Sequence, residues 1–362
     1  MTARNGDAPS ILVVNPGSTS TKVALYSGTE ESWRTEVAHA PEELGRYPTV
    51  AAQLPLRLKD IDEAVRQHGL EARSLAAVAA RGGLLCPLPG GTYRVSTGMV
   101  EELLDAPHGQ HASNLAAPIA LRIAQATGCP AFIVDPVVTD ELSDEARESG
   151  LPSLPRRSLL HALNQRAMGH RAAAELGRPY EDLRLVVAHI GGGISVGLHD
   201  HGRIVDVNNA LDGDGPLAPE RSGSVPLYRM WRLYAAGRFD LAAARGKVSG
   251  GGGLVGLVGT ADLRRIPDEG KGALARAALA LGIARECGRQ AALAGWPVDA
   301  LVLTGGAAHD AALVRSVLRK VRWLASRQFV YPGEAEMQAL AQGVLRALRG
   351  DPPALDYVGC HA

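Results

Sequence analysis

Short apolar runs bounded by glycine and hydroxyl residues recur along the chain, and the clearest example lies near its start. Ile11–Val14 predicts a buried strand, and Val23–Tyr26 predicts the strand that returns beside it. The residues between them, 15–22, read N-P-G-S-T-S-T-K. Such a turn offers backbone N–H groups, hydroxyl donors and a cation to an anion. It is predicted to hold a phosphoryl group, with an ordinary polar hairpin turn as the alternative.

Strand and helix patterns then alternate along the chain. Apolar spacing predicts helices over Asp60–Gly69, Val100–Leu104, Asn114–Thr127, Ser158–Leu176 and Ala311–Leu318. Buried strands are predicted over Leu75–Ala80, Ala131–Val134, Leu185–Ala188 and Ala300–Leu303. The strand at 185–188 runs into H-I-G-G-G-I-S-V-G at 189–197, and Arg203–Val207 is expected to pair back with it.

Residues 185–207 thus repeat the design of residues 11–26, in which a glycine and hydroxyl turn joins two apolar strands. Alternating strands and helices predict α/β layers, and the repeat predicts duplicated α/β domains that face a central cleft, with the glycine turns at that cleft. We expect residues 1–157 and a C-terminal helix within 333–362 to form the first domain, and residues 158–332 the second. The stretch Gly246–Gly259 is either a flexible linker or a tight loop beside the cleft.

Composition narrows the class of protein. At 362 residues the chain is long for one core. Lys plus Arg (38) equals Asp plus Glu (38), which argues against nucleic-acid binding and against a polybasic membrane surface. Residues 1–10 lack a hydrophobic signal core, and no apolar run approaches a membrane span. The four cysteines show no C-x-x-C pair, so neither a zinc site nor a disulfide framework is predicted. A cytoplasmic protein is expected.

Charged residues follow several predicted strands, at the positions where α/β sheets present their chemistry. Arg81, Asp135 and His189 each come directly after an apolar run, and Arg221 lies in the loop P-E-R-S-G. Phosphoryl transfer needs charge neutralisation and positioning more than covalent help, and this set supplies both. Alternatives stay open for single residues: structural ion pairs for the two arginines, a turn initiator for Asp135, a structural helix histidine for His161 and a helix cap for His111.

The scarcity of carboxylates among the candidate site residues distinguishes between kinds of kinase. An alcohol kinase needs a base, normally an aspartate, to remove the hydroxyl proton. The first turn carries Asn15, and the strongest carboxylate candidate is Asp135. A carboxylic acid substrate is already ionised at pH 7, so its kinase needs cations instead of a base. The pattern therefore favours acyl-phosphate chemistry.

At these positions the chain resembles the acetate, propionate and butyrate kinase family of the sugar kinase, Hsp70 and actin superfamily. The resemblance runs from about Ile11 to Arg349, and HASN, HALNQ and PERSG are similar to the butyrate branch. The motifs that carry it are VNPGSTSTK (14–22), ARGGLL (80–85), PGGTYRV (89–95), HASNL (111–115), IVDPVVTDEL (133–142), HALNQRA (161–167), AHIGGGISVG (188–197), VNNALDGDGP (207–216), PERSG (219–223), LTGG (303–306) and YPGEAEM (331–337).

The resemblance implies duplicated ribonuclease H-like (actin/Hsp70-type) domains and reversible transfer of the ATP γ-phosphoryl group to a short-chain fatty acid carboxylate. In the butyrate branch, butanoate and ATP give butanoyl phosphate and ADP. Mg²⁺ is the implied cofactor and ATP or ADP the nucleotide. The implied partners are the acid, the nucleotide and further copies of the chain, in a homodimer or larger homo-oligomer.

The resemblance also assigns roles to residues. Arg81 and Arg221 would bind the carboxylate and stabilise the in-line transition state, His161 would hydrogen-bond the transferring phosphoryl oxygens, and Asp135 would organise the site with Arg221. The residues implied in ATP and phosphate binding are Asn15, Ser18, Ser20, Lys22, His189, Gly191, Gly192, Gly193, Gly305 and Gly306. Asn15 and Glu336 would organise the metal, with Glu334 as a rival to Glu336. His111 and Leu160 would lie on the substrate side together with Arg81.

Two departures from the family leave the acid open. Leu160 stands where the family often has Phe, and Cys86 where a basic residue is common. A branched acid such as isobutyrate therefore remains an alternative, because one methylene changes binding by only roughly 1–3 kcal/mol. A kinase for an alcohol is a second alternative, against which Asn15 and the paired arginines speak. A nucleotide-switched binding module is a third, and it would need a client domain for which the two expected domains leave little of the 362 residues.

Overall fold

The structure is a computed structural model that describes residues 8–70, 75–295 and 297–360. Most of the segment predicted to lack a signal core, residues 1–7, lies outside the described residues. The chain forms two compact units, residues 1–139 with 335–362 and residues 140–334. The domain limits predicted from the sequence stay a prediction.

The first unit contains a six-stranded sheet. Its strands are β1 (Ser10–Pro16), β2 (Ser20–Ser27), β3 (Glu30–Ala38), β4 (Ala77–Arg81), β5 (Thr92–Arg94) and β6 (Ala131–Val134). Its helices are α1 (Pro41–Leu44), α2 (Leu54–Gln67), α3 (Thr97–Asp105) and α4 (Ala116–Thr127), joined by the last helix of the chain, Glu336–Arg349. Strand β1 is buried along Ile11–Val14, as its continuous apolar run predicts, because α4 and Glu336–Arg349 both pack on the sheet.

The second unit contains a five-stranded sheet. Its strands are β7 (Arg184–Ile190), β8 (Ile194–Asp200), β9 (Arg203–Val207), β10 (Ala300–Gly305) and β11 (Arg327–Pro332). Its helices are α5 (Asp144–Arg147), α6 (Ala162–Leu176), α7 (Leu227–Ala235), α8 (Leu241–Val248), α9 (Gly253–Val258), α10 (Gly270–Leu293) and α11 (Ala311–Val321), after which Glu336–Arg349 is α12. Its main core lies between the sheet and helices α10 and α11.

The two sheets share one topology. The strand order is β3-β2-β1-β4-β6-β5 in the first unit and β9-β8-β7-β10-β11 in the second. In each, an antiparallel meander of three strands continues, from its first strand, into two parallel strands. Strand β5 is an extra edge in the first unit. The duplicated α/β architecture predicted from two similar hairpins is confirmed.

Three local predictions were wrong. Helix α6 begins at Ala162 and not at Ser158, because the preceding chain pairs through Leu159 O with Ala210 N–H and buries Leu160 in a small core. The strand that returns beside β7 is β8, while Arg203–Val207 pairs with β8 instead. Residues 246–259 form neither a linker nor a continuous loop, since α8 and α9 cover most of them and Gly253 packs against the Ala218 carbonyl.

The predicted C-terminal helix is confirmed as α12, which packs on β1, β4 and β6. Among the described residues, no helix combines the length and the apolar character that a membrane crossing requires.

Candidate active site

The first phosphate-type turn joins β1 to β2. The Gly17 N–H donates to the Ser20 carbonyl at 2.7 Å, which closes the turn and leaves Ser18 exposed at its tip. Ser20 is half-buried at the start of β2. Lys22 lies further along β2, where its ammonium group is 3.8 Å from Glu36 on the neighbouring strand. The turn therefore presents backbone and hydroxyl groups, while the ammonium group of Lys22 pairs along the sheet.

Asn15, Arg81 and Glu336 form one polar cluster in the first unit. Asn15 is the penultimate residue of β1, Arg81 ends β4 and Glu336 begins α12. Asn15 Nδ2 donates to Glu336 Oε2 at 2.8 Å, and Arg81 Nη1 lies 3.1 Å from Glu336 Oε1. The cluster forms because parallel strands β1 and β4 end at the same edge and α12 starts beside them.

The Asn15 amide oxygen is a candidate metal or phosphate ligand. Asn15 is 3% exposed, and its Oδ1 is buried with no hydrogen-bond partner among the described residues. A buried acceptor without a donor costs free energy unless a ligand satisfies it. Amide and carboxylate oxygens suit Mg²⁺, so Asn15 Oδ1 and Glu336 fit that ion. Glu334, the rival of Glu336, is half exposed and lies in the second unit beside His189.

Asp135 follows β6 and holds a neighbouring loop. It is 5% exposed and adopts a left-handed backbone conformation, with φ of 39°. Its Oδ1 accepts from the Gly91 N–H at 2.8 Å, and its own N–H donates to the Gly91 carbonyl at 2.9 Å. This positive φ in a non-glycine residue marks a conformation that the surrounding structure must impose. The predicted cooperation of Asp135 with Arg221 stays a prediction.

Two of the three residues expected on the substrate side, His111 and Leu160, have structural contacts. His111 caps the short 3₁₀ turn Ala112–Leu115, where its Nδ1 accepts from the Ser113 N–H at 3.2 Å. Leu160 is buried in a small apolar core with Leu142, Ala162 and Ile204. The capping alternative for His111 is thus realised in the fold, and a substrate role for either residue stays a prediction.

The second phosphate-type turn joins β7 to β8. The Gly191 N–H donates to the Gly193 carbonyl at 3.0 Å, and the Glu220 N–H donates to the Gly192 carbonyl at 3.0 Å. These bonds fix the glycine turn against the loop that carries Arg221. Because the three glycines of the turn have no side chains, that loop can approach the turn closely.

The Arg221 guanidinium group lies directly over Gly193. A Cβ atom on Gly193 would overlap the guanidinium group and lie 2.9 Å from its Nε. Arg221 Nη1 also donates to the Ala210 carbonyl at 2.5 Å. Burial lowers the pKa of Arg221, but an arginine stays charged at neutral pH because its ordinary pKa is so high. The turn therefore carries a fixed, partly desolvated cation.

His161 and His189 stack face to face in the second unit. Their ring centroids are 3.9 Å apart, with 12° between the planes. His189 is the penultimate residue of β7 and contacts Asn164 Oδ1 through Nδ1 at 2.7 Å. His161 was predicted to lie within a helix, and this was wrong: it is the residue directly before α6, at the helix N-terminus.

A buried network behind His161 sets its tautomer. Gln165 Nε2 donates to the Ser195 carbonyl at 3.0 Å, which fixes the amide orientation because a carbonyl can only accept. The same nitrogen donates to Ser195 Oγ at 2.8 Å. Gln165 Oε1 faces His199 Nε2 at 3.0 Å, and His199 Nδ1 faces the Tyr180 hydroxyl at 2.7 Å. Burial, and then the charge of Arg166, hold the pKa of His199 well below its ordinary value, so its ring is neutral.

This network leaves one direction for the last hydrogen bond. Ser195 Oγ accepts from Gln165 Nε2 and from the backbone N–H of His161, which is 3.3 Å away. The hydroxyl hydrogen of Ser195 therefore points to the ring nitrogen Nδ1 of His161, 2.9 Å away. Neutral His161 then carries its proton on Nε2. An Nε2–H is a donor suited to a phosphoryl oxygen.

A cavity of about 690 Å³ in the second unit adjoins the second turn. Its walls include Gly191, Gly192, Gly306, Asp310 and Glu334. Gly305 has φ of 92°, and a Cβ there would clash with the Ile190 backbone, so only glycine fits between β7 and β10. A cavity of this size suits a ligand such as a nucleotide.

Ser195, Gln165 and His199 were missed as functional candidates by the sequence analysis. Ser195 and Gln165 lie inside motifs that were recognised, GGGISVG and HALNQ, and a polar residue within a buried strand or helix was the available signal. His199 gave no such signal, since a single histidine in a strand is usually structural.

Comparison with known proteins gives consistent results. A model described as the acetokinase family matches residues 153–327. The chain is 45% identical over 353 residues to a "Probable butyrate kinase" of Coprothermobacter proteolyticus, covering 96% of this chain and 99% of the relative. It is 42% identical over 352 residues to "Butyrate kinase 1" of Clostridium acetobutylicum, covering 96% and 99%.

Two solved structures share the fold. Acetate kinase from Porphyromonas gingivalis matches with a TM-score of 0.76 at 18% identity, covering 93% of this chain and 99% of that one. A propionate kinase from Francisella tularensis matches with a TM-score of 0.73 at 16% identity, covering 92% and 98%.

The paired sheets and their phosphate-type turns thus define a duplicated actin/Hsp70-type α/β protein, as the sequence predicted. The full-length relatives make the assignment more specific: the chain belongs to the acetokinase family.

Proposed function

We propose that this protein is a phosphotransferase that uses ATP to phosphorylate the carboxylate of a short-chain fatty acid, reversibly, with butanoate as its acid. The observation that carries the proposal is the nature of the polar group at the end of β1. It is the amide of Asn15, and the carboxylate beside it, Glu336, is already paired with Arg81. Neither side chain is a ready base for an alcohol, because an amide is not basic and the carboxylate is ion-paired, whereas a carboxylate substrate needs no base.

The reaction is a direct in-line transfer. A carboxylate oxygen of the acid forms a bond to the γ-phosphorus as the bond from that phosphorus to the β,γ-bridging oxygen breaks. The products are an acyl phosphate and ADP, and no proton is moved. The main barrier is the repulsion between two anions, which positioned cations and N–H donors lower.

The roles of the residues follow from this requirement. Arg81 binds the carboxylate of the acid, and Arg221, fixed over Gly193, stabilises the charge on the transferring group. His161 donates its Nε2–H to an equatorial oxygen. The turn after β7 and the adjoining cavity hold the nucleotide. Asp135 acts indirectly, by holding the loop at Gly91.

Mg²⁺ fits the first unit, where Asn15 Oδ1 and the carboxylate of Glu336 would hold it. When bound, the ion neutralises charge on the β- and γ-phosphates. Glu336 also keeps Arg81 in place, so one carboxylate orients the amide and the guanidinium group. The homo-oligomer and the cytoplasmic location expected from the sequence stay predictions.

The test is trapping of the acyl phosphate with hydroxylamine. Mg-ATP is supplied with straight acids of two to six carbons, with isobutyrate, and with glycerol or glucose as alcohol controls. We expect acyl hydroxamate, with the highest kcat/KM for butanoate. A maximum for isobutyrate would select the branched-acid alternative. ADP release with an alcohol, and no hydroxamate with any acid, would refute the proposal.

Two variants connect the activity to the site. Arg81→Ala and Arg221→Ala should lower kcat/KM for the acid by roughly a hundredfold or more, since each removes a charged transition-state contact. Arg319→Ala, on the exposed side of α11, is the matched control and should leave the rate unchanged.

A further inference from the structure

The first unit brings together four side chains whose donor atoms suit a metal ion. They are Cys86 in the loop after β4, Glu102 on α3, His108 beyond α3 and Cys360 in the C-terminal tail. Their ligand atoms all lie within 4.8 Å of one another. Cysteine spacing in the sequence predicted neither a zinc site nor a disulfide framework, and it missed the pairing of Cys86 with Cys360, because 274 residues separate the two cysteines.

The distances around His108 match a shared tetrahedral ion. His108 Nε2 lies 3.5 Å from Cys86 Sγ, 3.7 Å from Cys360 Sγ and 3.1 Å from Glu102 Oε1. Tetrahedral zinc, with bonds of about 2.3 Å to sulfur and about 2.0–2.1 Å to nitrogen and oxygen, separates such ligand atoms by roughly 3.3–3.6 Å. The imidazole nitrogen is thus placed about one tetrahedral edge from each of the other three donors.

Outer contacts orient the carboxylate of Glu102. The Tyr357 hydroxyl donates to Glu102 at 2.8 Å and 2.9 Å, and the Cys86 N–H donates to Glu102 Oε1 at 3.2 Å. Metal ligands are characteristically held by such second contacts.

A disulfide is the competing explanation. In this structure Cys86 and Cys360 are paired as a disulfide, and their Cα atoms are 5.5 Å apart, a separation typical of that bond. A disulfide, however, needs neither a histidine nor a glutamate. Both converge here on the sulfur atoms, and the Glu102 carboxylate is itself oriented from behind.

We propose that Cys86, Glu102, His108 and Cys360 bind one Zn²⁺ ion. Two thiolates and an imidazole select zinc over Mg²⁺ or Ca²⁺, and four protein ligands make the site structural rather than catalytic. The ion fastens the tail, whose Leu355 already pairs with Thr92 and Arg94 on β5, to the loop that begins at Arg81. The site adds a second metal centre, independent of the proposed reaction.

The test measures metal in the full-length protein, purified under reducing conditions without a metal-affinity tag. Elemental analysis should find about one zinc per chain in the wild type and in the control Cys129→Ser, whose cysteine lies elsewhere. Cys86→Ser and His108→Asn should lose it. Removal of the zinc with a chelator in mild denaturant should lower the Tm of the wild type, and the same treatment should leave the Tm of Cys86→Ser unchanged.

A second measurement covers the case in which the variants fail to fold. Wild-type protein reloaded with Co²⁺ should show thiolate-to-cobalt charge-transfer absorption and the intense visible bands of a tetrahedral centre. Absence of these bands would overturn the proposal. Zinc retained by His108→Asn would also overturn it. So would wild type purified without a reductant that is metal-free and has only two of its four thiols titratable, which would establish the disulfide.

Discussion

The contact between Gly193 and Arg221 gives the sharpest test of how this site works. In Gly193→Ala, the new Cβ would occupy the space of the Arg221 guanidinium group, with Nε only 2.9 Å away. The guanidinium group must therefore retreat by roughly 1 Å or more, a displacement that can cost about a hundredfold in rate when the group acts on the transition state. Loss of one charged contact costs up to roughly a thousandfold. We therefore expect kcat to decrease by roughly a hundredfold to a thousandfold.

The assay is steady-state formation of acyl hydroxamate, combined with thermal unfolding to verify the fold. Gly192→Ala is the matched control, because the three atoms nearest its Cβ belong to the carboxylate of Glu220, an exposed side chain that can swing away. That control should change kcat little, although it borders the proposed nucleotide cavity and can raise the KM for ATP.

A double-mutant cycle shows whether Gly193→Ala slows the reaction by displacing Arg221 or independently of Arg221. If Gly193→Ala acts by displacing Arg221, it should add almost nothing in the Arg221→Ala background. Independent, multiplying effects would refute the mechanism, and so would a near-normal kcat for Gly193→Ala.

Three further predictions concern neighbouring groups. Ser195→Ala removes the hydroxyl that faces His161 Nδ1, so kcat should fall about 10- to 100-fold with little change in the KM for ATP; an unchanged kcat contradicts the tautomer argument. Glu336→Gln should raise the Mg²⁺ concentration for half-maximal activity by about 10- to 100-fold, unlike Glu334→Gln, and equal effects would reject the assignment. His199 is neutral in the folded protein because its pKa is depressed, so the free energy of unfolding should fall below about pH 6.5 by roughly 1.4 kcal/mol per pH unit. Urea titrations should show that the free energy of unfolding of His199→Gln depends less on pH, by the equivalent of one proton. The same pH dependence in the variant and the wild type would contradict this prediction.

The order of strands and turns could be predicted locally. Ile11–Val14 and Leu185–Ala188 are buried apolar runs that stop at glycine turns, so residues next to one another in sequence define both the strand and its turn. Where a helix began was less predictable. Helix α6 starts at Ala162, because the chain before it buries Leu160 beside Leu142.

The site itself was predictable only in part. Motifs identified Arg221 and His161, but not that one lies over Gly193 and the other is oriented by Ser195, because those contacts join distant segments. The motif likewise left open the choice between Glu334 and Glu336. The position of Glu336 beside Asn15, as the first residue of α12, favours Glu336, and its metal role stays a prediction.

The sequence by itself determined the alternation of elements, the duplicated hairpins and the chemical character of the turns, since each depends on neighbours within a few residues. Only the tertiary structure decided which polar groups meet. Cys86 and Cys360 show this most clearly, because the return of the tail along β5, and not any spacing, brings them together. Contacts between distant segments are set by how sheets and helices pack, and no local pattern encodes them.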